Sequence, residues 1–80
     1  MSEYLEILIM NDIMRLCKKQ IENGMDTAEL KTEWITEKYI SAGIPYYVIN
    51  PVWRTIYRKL KKCLKRRRKG KIVVFCWCFE

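Results

Sequence analysis

The chain contains no histidine, three glycines, two prolines and no acidic residue between Lys38 and Phe79. Without histidine it lacks the commonest general base and the commonest metal ligand. Three scattered glycines cannot build a glycine-rich phosphate loop. The longest unbroken apolar run, Ile72 to Phe79, is eight residues, too short to cross a bilayer as a helix. The first residues, MSEYLEILIM, carry Glu3 and Glu6 where a secretory leader carries Lys or Arg, and they hold no small-residue cleavage site. The expectation is a cytoplasmic protein with reduced thiols and no membrane association. Its four cysteines, Cys17, Cys63, Cys76 and Cys78, include only a C-x-C spacing, with Cys17 and Cys63 distant on helices, so buried thiols are expected rather than a metal site. The carboxylates fall on helix faces without a cleft pair. No enzyme activity, catalytic residue or cofactor is expected.

What is present is a foldable core and a divided charge. Half of the 80 residues are hydrophobic and three are Trp, which excludes a disordered chain and supports a single domain over residues 1–80. A domain this small buries only about 60% of its unfolded surface, so a partner subunit would help it. The net charge of +7 is unevenly placed. Residues 1–37 hold eight acids and four bases, whereas residues 38–80 hold twelve bases and the single acid Glu80. That polarity calls for an anionic partner or for charge pairing between the halves.

The periodicity predicts a first helix over residues 2–21 with an unusually wide apolar arc (Leu5, Ile7, Ile9, Met10, Ile13, Met14, Leu16, Cys17, Ile21) opposite Asn11, Asp12, Arg15, Lys18, Lys19 and Glu22. Asn23-Gly24 ends it. Asp26 with Glu29 reads as a capping box opening a second helix from Thr27 to Ala42, striped by Glu29, Glu33 and Glu37. Ile44 to Ile49 reads as a strand or extended turn. Asn50-Pro51 opens a third helix to about Arg68 or Lys69, with Gly70 as terminator. The last run, Lys71 to Phe79, is a strand that wants both faces covered, its partner being Ile44 to Ile49 or the same strand of a second copy.

On a helical wheel the third helix places Arg54, Arg58, Lys61, Lys62, Lys65, Arg68 and Lys69 within about a third of the circumference, opposite Val52, Trp53, Ile56, Leu60, Cys63 and Leu64. Lys59 and Arg66 border the arc and Arg67 projects to the apolar side. Crowding like charges at i,i+4 costs a few tenths of a kcal/mol per pair. The functional reading is contact with nucleic acid, where each neutralised phosphate releases counterions. The other readings are a solvated face partly answered by Glu29, Glu33 and Glu37, or docking on an acidic protein.

Residues 35 to 54, ITEKYISAGIPYYVINPVWR, resemble a helix-turn-helix of the kind found in small regulators of phages and plasmids: a helix, Gly43 at the turn, then apolar Ile44, Ile49 and Val52 at packing positions. The stretch departs from that pattern at Tyr39, where a small residue is favoured, and at Pro51, inside the recognition helix. The resemblance implies a recognition helix starting at Asn50, Arg54 and Arg58 as the first residues to reach bases or phosphates, and a dimer employing the wide face of the first helix.

The expected fold is mainly α (α+β): three helices with one or two short strands, helix-turn-helix or winged-helix-like, the C-terminal strand pairing across a dimer or within the chain. The expected function is nucleic-acid binding, DNA first, in transcription regulation or an accessory role. Its residues are Arg54, Arg58, Lys61, Lys62, Lys65, Arg66, Arg68, Lys69 and Lys71. The rival is a small mobile-element inhibitor or adaptor whose basic helix docks on an acidic or nucleic-acid-binding surface of a host protein.

Overall fold

Leu5, Ile9, Ile13 and Cys17, each four apart, put one face of helix α1 (Ser2–Glu22) wholly into the core. This is seen in a computed structural model that describes residues 2–79. Asp12, which the wheel assigns to the solvent arc, lies inside the fold with its side chain 14% exposed. Its carboxylate accepts hydrogen bonds from the Tyr39 hydroxyl at 2.8 Å and the Lys38 ammonium at 3.1 Å, tying α1 to the second helix. Tyr39, large where the helix-turn-helix pattern favours a small side chain, is thereby buried with its polar end satisfied.

Thr27–Lys31 is a strand, β1, and not the first turns of a helix. Ala-Glu-Leu-Lys has helical propensity, yet Ala28 and Leu30 alternate inward from Glu29, and tertiary pairing overrides the local preference. Helix α2 (Thr32–Ser41) follows at once. No side chain caps it; the Thr32 amide instead donates to the carbonyl of Gly70 at 3.0 Å, so the start of α2 is held by a turn far along the chain.

Helix α3 runs from Tyr46 to Lys59, displaced toward the N-terminus from the expected 51–68. Pro45, with φ −65° and ψ 147°, is its N-cap, and the Pro45 carbonyl accepts from the amides of Val48 and Ile49. Ile44 to Ile49 is therefore no strand. The inward series Ile49, Val52, Trp53, Ile56 and Leu60 begins before Asn50 and keeps helical spacing, which outweighs the β-propensity of Tyr-Tyr-Val-Ile. Pro51 sits inside α3 on its exposed side, so the hydrogen bond it forgoes is one that water can replace.

The helix stops at Lys59, well short of Arg68. Residues 60–63 turn, Leu64–Arg68 becomes strand β2, and Lys71–Phe75 is strand β3. The sheet is antiparallel in the order β1-β3-β2. The apolar strand β3 thus takes both neighbours from its own chain, β1 and β2, and neither Ile44 to Ile49 nor a second copy is its partner. Gly70, expected to terminate a helix, is at the Lys69-Gly70 hairpin turn with φ 76°, a conformation that side chains with a Cβ resist. A 3-10 turn, η1 (Cys76–Phe79), ends the described chain. Three helices and a three-stranded sheet share one core, in which Ile9, Ile13, Ile49, Ile56 and Val74 are fully buried. Among the described residues no helix is long and apolar enough to cross a membrane.

Candidate nucleic-acid interface

With its core residues turned inward, α3 presents Tyr47, Pro51, Arg54 and Arg58 to solvent at spacings of three and four, so they form one stripe. Tyr47 is 77% exposed and Asn50 borders the same stripe. Tyr46 and Tyr47, expected in a strand or extended turn, instead open the helix, which is what brings Tyr47 beside the arginines. Pro45, whose fixed φ of −65° suits the start of a helix, was the available signal. Lys59, the α3 cation outside the predicted set, is ion-paired with Glu6 of α1.

The other predicted cations do not continue this helix. Lys61 and Lys62 lie in the turn, Lys65, Arg66 and Arg68 on β2, Lys69 in the hairpin turn and Lys71 on β3, all exposed. A seven-cation helical arc is therefore replaced by a helix edge and a basic hairpin. Among the described residues only Lys71 of the nine forms an ion pair, with Glu29 at 3.6 Å. Glu33 and Glu37 lie on α2 and pair with none of them. Glu29 has left the helical stripe for β1.

The pairing of β2 with β3 changes phase at a bulge between Leu64 and Arg66: Leu64 opposes Val74, but Arg66 opposes Val73. The extra residue, Lys65, shifts the alternation by one, so Leu64 and Arg67 share the inner face while Arg66 and Arg68 take the outer one. Arg67 lies over the Tyr57 ring at 3.8 Å from its centroid, and Tyr57 stacks on Trp53 at 5.6 Å. The Trp53 indole N–H donates to the Thr36 hydroxyl at 2.8 Å, which donates to the Thr32 carbonyl at 2.9 Å. Hairpin, α3 and α2 are joined in one chain of contacts around a groove of about 300 Å³ lined in part by Tyr46, Asn50 and Arg67. Arg67 was outside the predicted set because its role depends on the bulge.

The cysteines, expected far apart, meet across the fold. Cys17 of α1 lies beside Cys76, and Cys63 in the turn after α3 lies beside Cys78; all four are free thiols. Burial, reinforced by the neighbouring sulfur, pushes Cys17 up to about 12 and Cys63 up to about 11, so both are protonated at neutral pH and poor nucleophiles. Burial and then its bond to Asp12 likewise raise Tyr39 to about 12. No group of three or more potential metal ligands is assembled among the described residues. No protein-family model, curated protein or solved structure matches this chain.

Proposed function

We propose that the protein binds duplex DNA as a small regulator or accessory factor, with the Tyr47, Asn50, Arg54 and Arg58 edge of α3 in the major groove and the β2–β3 hairpin against neighbouring phosphates. The element order α1-β1-α2-α3-β2-β3 with sheet order β1-β3-β2 supports a winged-helix reading, α3 serving as recognition helix and the hairpin as wing. The observation that carries the proposal is a set of exposed cations, Arg54 and Arg58 on α3 and Lys65 and Lys69 on the hairpin, that form no ion pair among the described residues, on two elements in contact through Arg67 and Tyr57. A face serving only solubility would intersperse both signs. Phosphates would neutralise it with release of counterions.

A salt titration of binding to random duplex tests this. Affinity should fall by about 0.9 decades per decade of salt for each phosphate engaged, several in all. Undetectable binding at about 50 mM salt, where such contacts are strong, overturns the proposal.

The homodimer that such a reader would use has a surface available. Tyr4, Ile7, Met14 and Ile21 are exposed on one side of α1, spaced around Asn11 and Lys18 as in a helix-pairing seam. The wide apolar arc thus resolves into a core face and this second face. Sedimentation should show a dimer that Ile7→Glu converts to monomer; a parent protein monomeric at every concentration rejects this partner.

A further inference from the structure

The sheet has a second face that duplex reading by α3 does not use. Directly opposed residues of antiparallel strands project from the same side. The pairings therefore set Lys31, Lys71 and Arg68 in one row across the three strands, and Glu29, Val73 and Arg66 in the next. These rows point away from the core side, where Ala28, Leu30, Ile72 and Val74 are buried. Like charges placed directly opposite one another destabilise a sheet. Here three stand abreast with a fourth, Arg66, behind them. The one acid among the described residues of this face, Glu29, answers only Lys71, and both side chains are at least half exposed. Glu29, Arg66, Arg68, Lys71 and Val73 line an open depression of about 290 Å³.

Beyond this basic end the same face becomes aromatic. Phe75 shares the parity of Lys71 and Val73, about 13 Å from Lys71 at roughly 3.3 Å per residue. The ring of Trp77 stacks on Phe75 with centroids 5.9 Å apart. Trp77 is 60% exposed, so a flat aromatic surface is held in place yet left open to solvent.

We propose that this outer face binds single-stranded nucleic acid, with phosphates on Arg66, Arg68 and Lys71 and an unpaired base stacked on Trp77. Cations that follow a backbone combined with an aromatic platform are the two requirements for holding an unpaired strand. The ligand is single-stranded because the bases of a duplex are already stacked on one another and offer no free face to Trp77. The site is independent of the α3 edge: the bulge at Lys65 turns Arg66 and Arg68 outward while Arg67 faces Tyr57, so one hairpin serves two surfaces. Glu29 weakens the site by presenting a carboxylate beside the phosphate positions.

Fluorescence anisotropy of the full chain at about 50 mM salt tests this with labelled oligo-dT and oligo-U of about 12 nucleotides, and with a random duplex. Trp77→Ala should lower single-strand affinity about tenfold, Trp77→Phe should keep most of it, and neither should change duplex affinity. Glu29→Gln should raise single-strand affinity a few-fold, a gain that unfolding cannot mimic. Arg54→Gln with Arg58→Gln should lower duplex affinity alone. Single-strand binding indifferent to both Trp77→Ala and Glu29→Gln overturns the inference, as does parallel loss of both ligands in the α3 variant. Trp77-dependent single-strand binding without duplex binding supports it and rejects the proposal for α3. The oligo-dT and oligo-U arms tell whether the strand is DNA or RNA.

Discussion

Helix α3 and the β2–β3 hairpin divide one basic stretch of sequence and separate charge from core by different periods. In α3 the 3.6-residue repeat keeps Ile49, Val52, Trp53 and Ile56 inside and leaves Arg54 and Arg58 on a single edge. In the hairpin a two-residue repeat, shifted by the bulge, sends Arg67 inward and Arg66 and Arg68 outward. The helix is seated on the core along its length. The charged strand β2 is exposed from Lys65 to Arg68 and depends on β3, on the Gly70 turn and on the Arg67 contact with Tyr57. The same cations are thus mounted once on a rigid support and once on a lever, and substitutions should tell the two apart.

The largest effect should come from removing what both regions share. Ile56 is fully buried on α3. Ile56→Ala should cost about 2–5 kcal/mol and lower the melting temperature by roughly 10 °C or more, loosening helix and hairpin together. Thermal melts followed by circular dichroism check this, and a nearly unchanged midpoint would show that α3 is not seated on the core.

Next in size is alkaline pH, which acts where the ends of the two regions meet. Cys63, between α3 and β2, neighbours Cys78 beyond β3, and Cys17 neighbours Cys76. Folding raises Cys17 from 9.0 to about 12, Cys63 from 9.0 to about 11 and Tyr39 from 10.0 to about 12. The folded state therefore retains protons that the unfolded state gives up first. Their contribution is fully present below about pH 9 and is lost as pH rises from there to about 12. Melts across pH 7 to 12 should show a plateau and then a decline, and a midpoint independent of pH above 9 would contradict the thiol placement.

This dependence on distant partners also explains what was legible in the sequence. Helix α1 could be read almost to its ends because Leu5, Ile9, Ile13 and Cys17 repeat locally. The strand β3 was legible as a run of Ile-Val-Val-Phe needing neighbours. Its neighbours were not: Ala-Glu-Leu-Lys in β1 and Lys-Arg-Arg-Arg in β2 carry no strand preference, and only pairing with β3 makes them strands. The cations of the candidate site could be named from the sequence, but their distribution over two elements and two sheet faces could not. That distribution follows from the turn at residues 60–63 and the single bulged residue Lys65.

Helix and hairpin should also differ in what they do for a duplex. Arg54→Ala and Arg58→Ala should each cost about 1–3 kcal/mol on a preferred site and flatten the preference among sequences. Lys65→Ala and Lys69→Ala should weaken every duplex alike and reduce the salt slope by about one each. Anisotropy on matched and scrambled duplexes separates the two patterns. Identical behaviour of the two pairs would mean that neither region reads bases.

Smaller still is the turn of the lever. At a φ of 76°, Gly70→Ala should cost about 1–2 kcal/mol, although a Cβ there would meet open space. Because the Gly70 carbonyl also receives the Thr32 amide, the start of α2 should loosen with the hairpin. Hydrogen exchange at Thr32 and across β2 should accelerate while the Val52 to Ile56 amides of α3 stay protected.

The smallest effect isolates the joint itself. Arg67 keeps its guanidinium 3.8 Å from the Tyr57 ring centroid while remaining solvent-exposed, so the contact should be worth about 0.5–1 kcal/mol. Arg67→Lys preserves the charge but not the flat stacking surface. Thermal stability should therefore fall by only a few degrees, and the salt slope of duplex binding should not change. Amide exchange in β2 should nevertheless quicken, and duplex affinity should drop a few-fold because the hairpin must be ordered on binding. If affinity and exchange match the parent protein, the hairpin is positioned by β3 and the Gly70 turn alone, and the lever is as rigid as the helix.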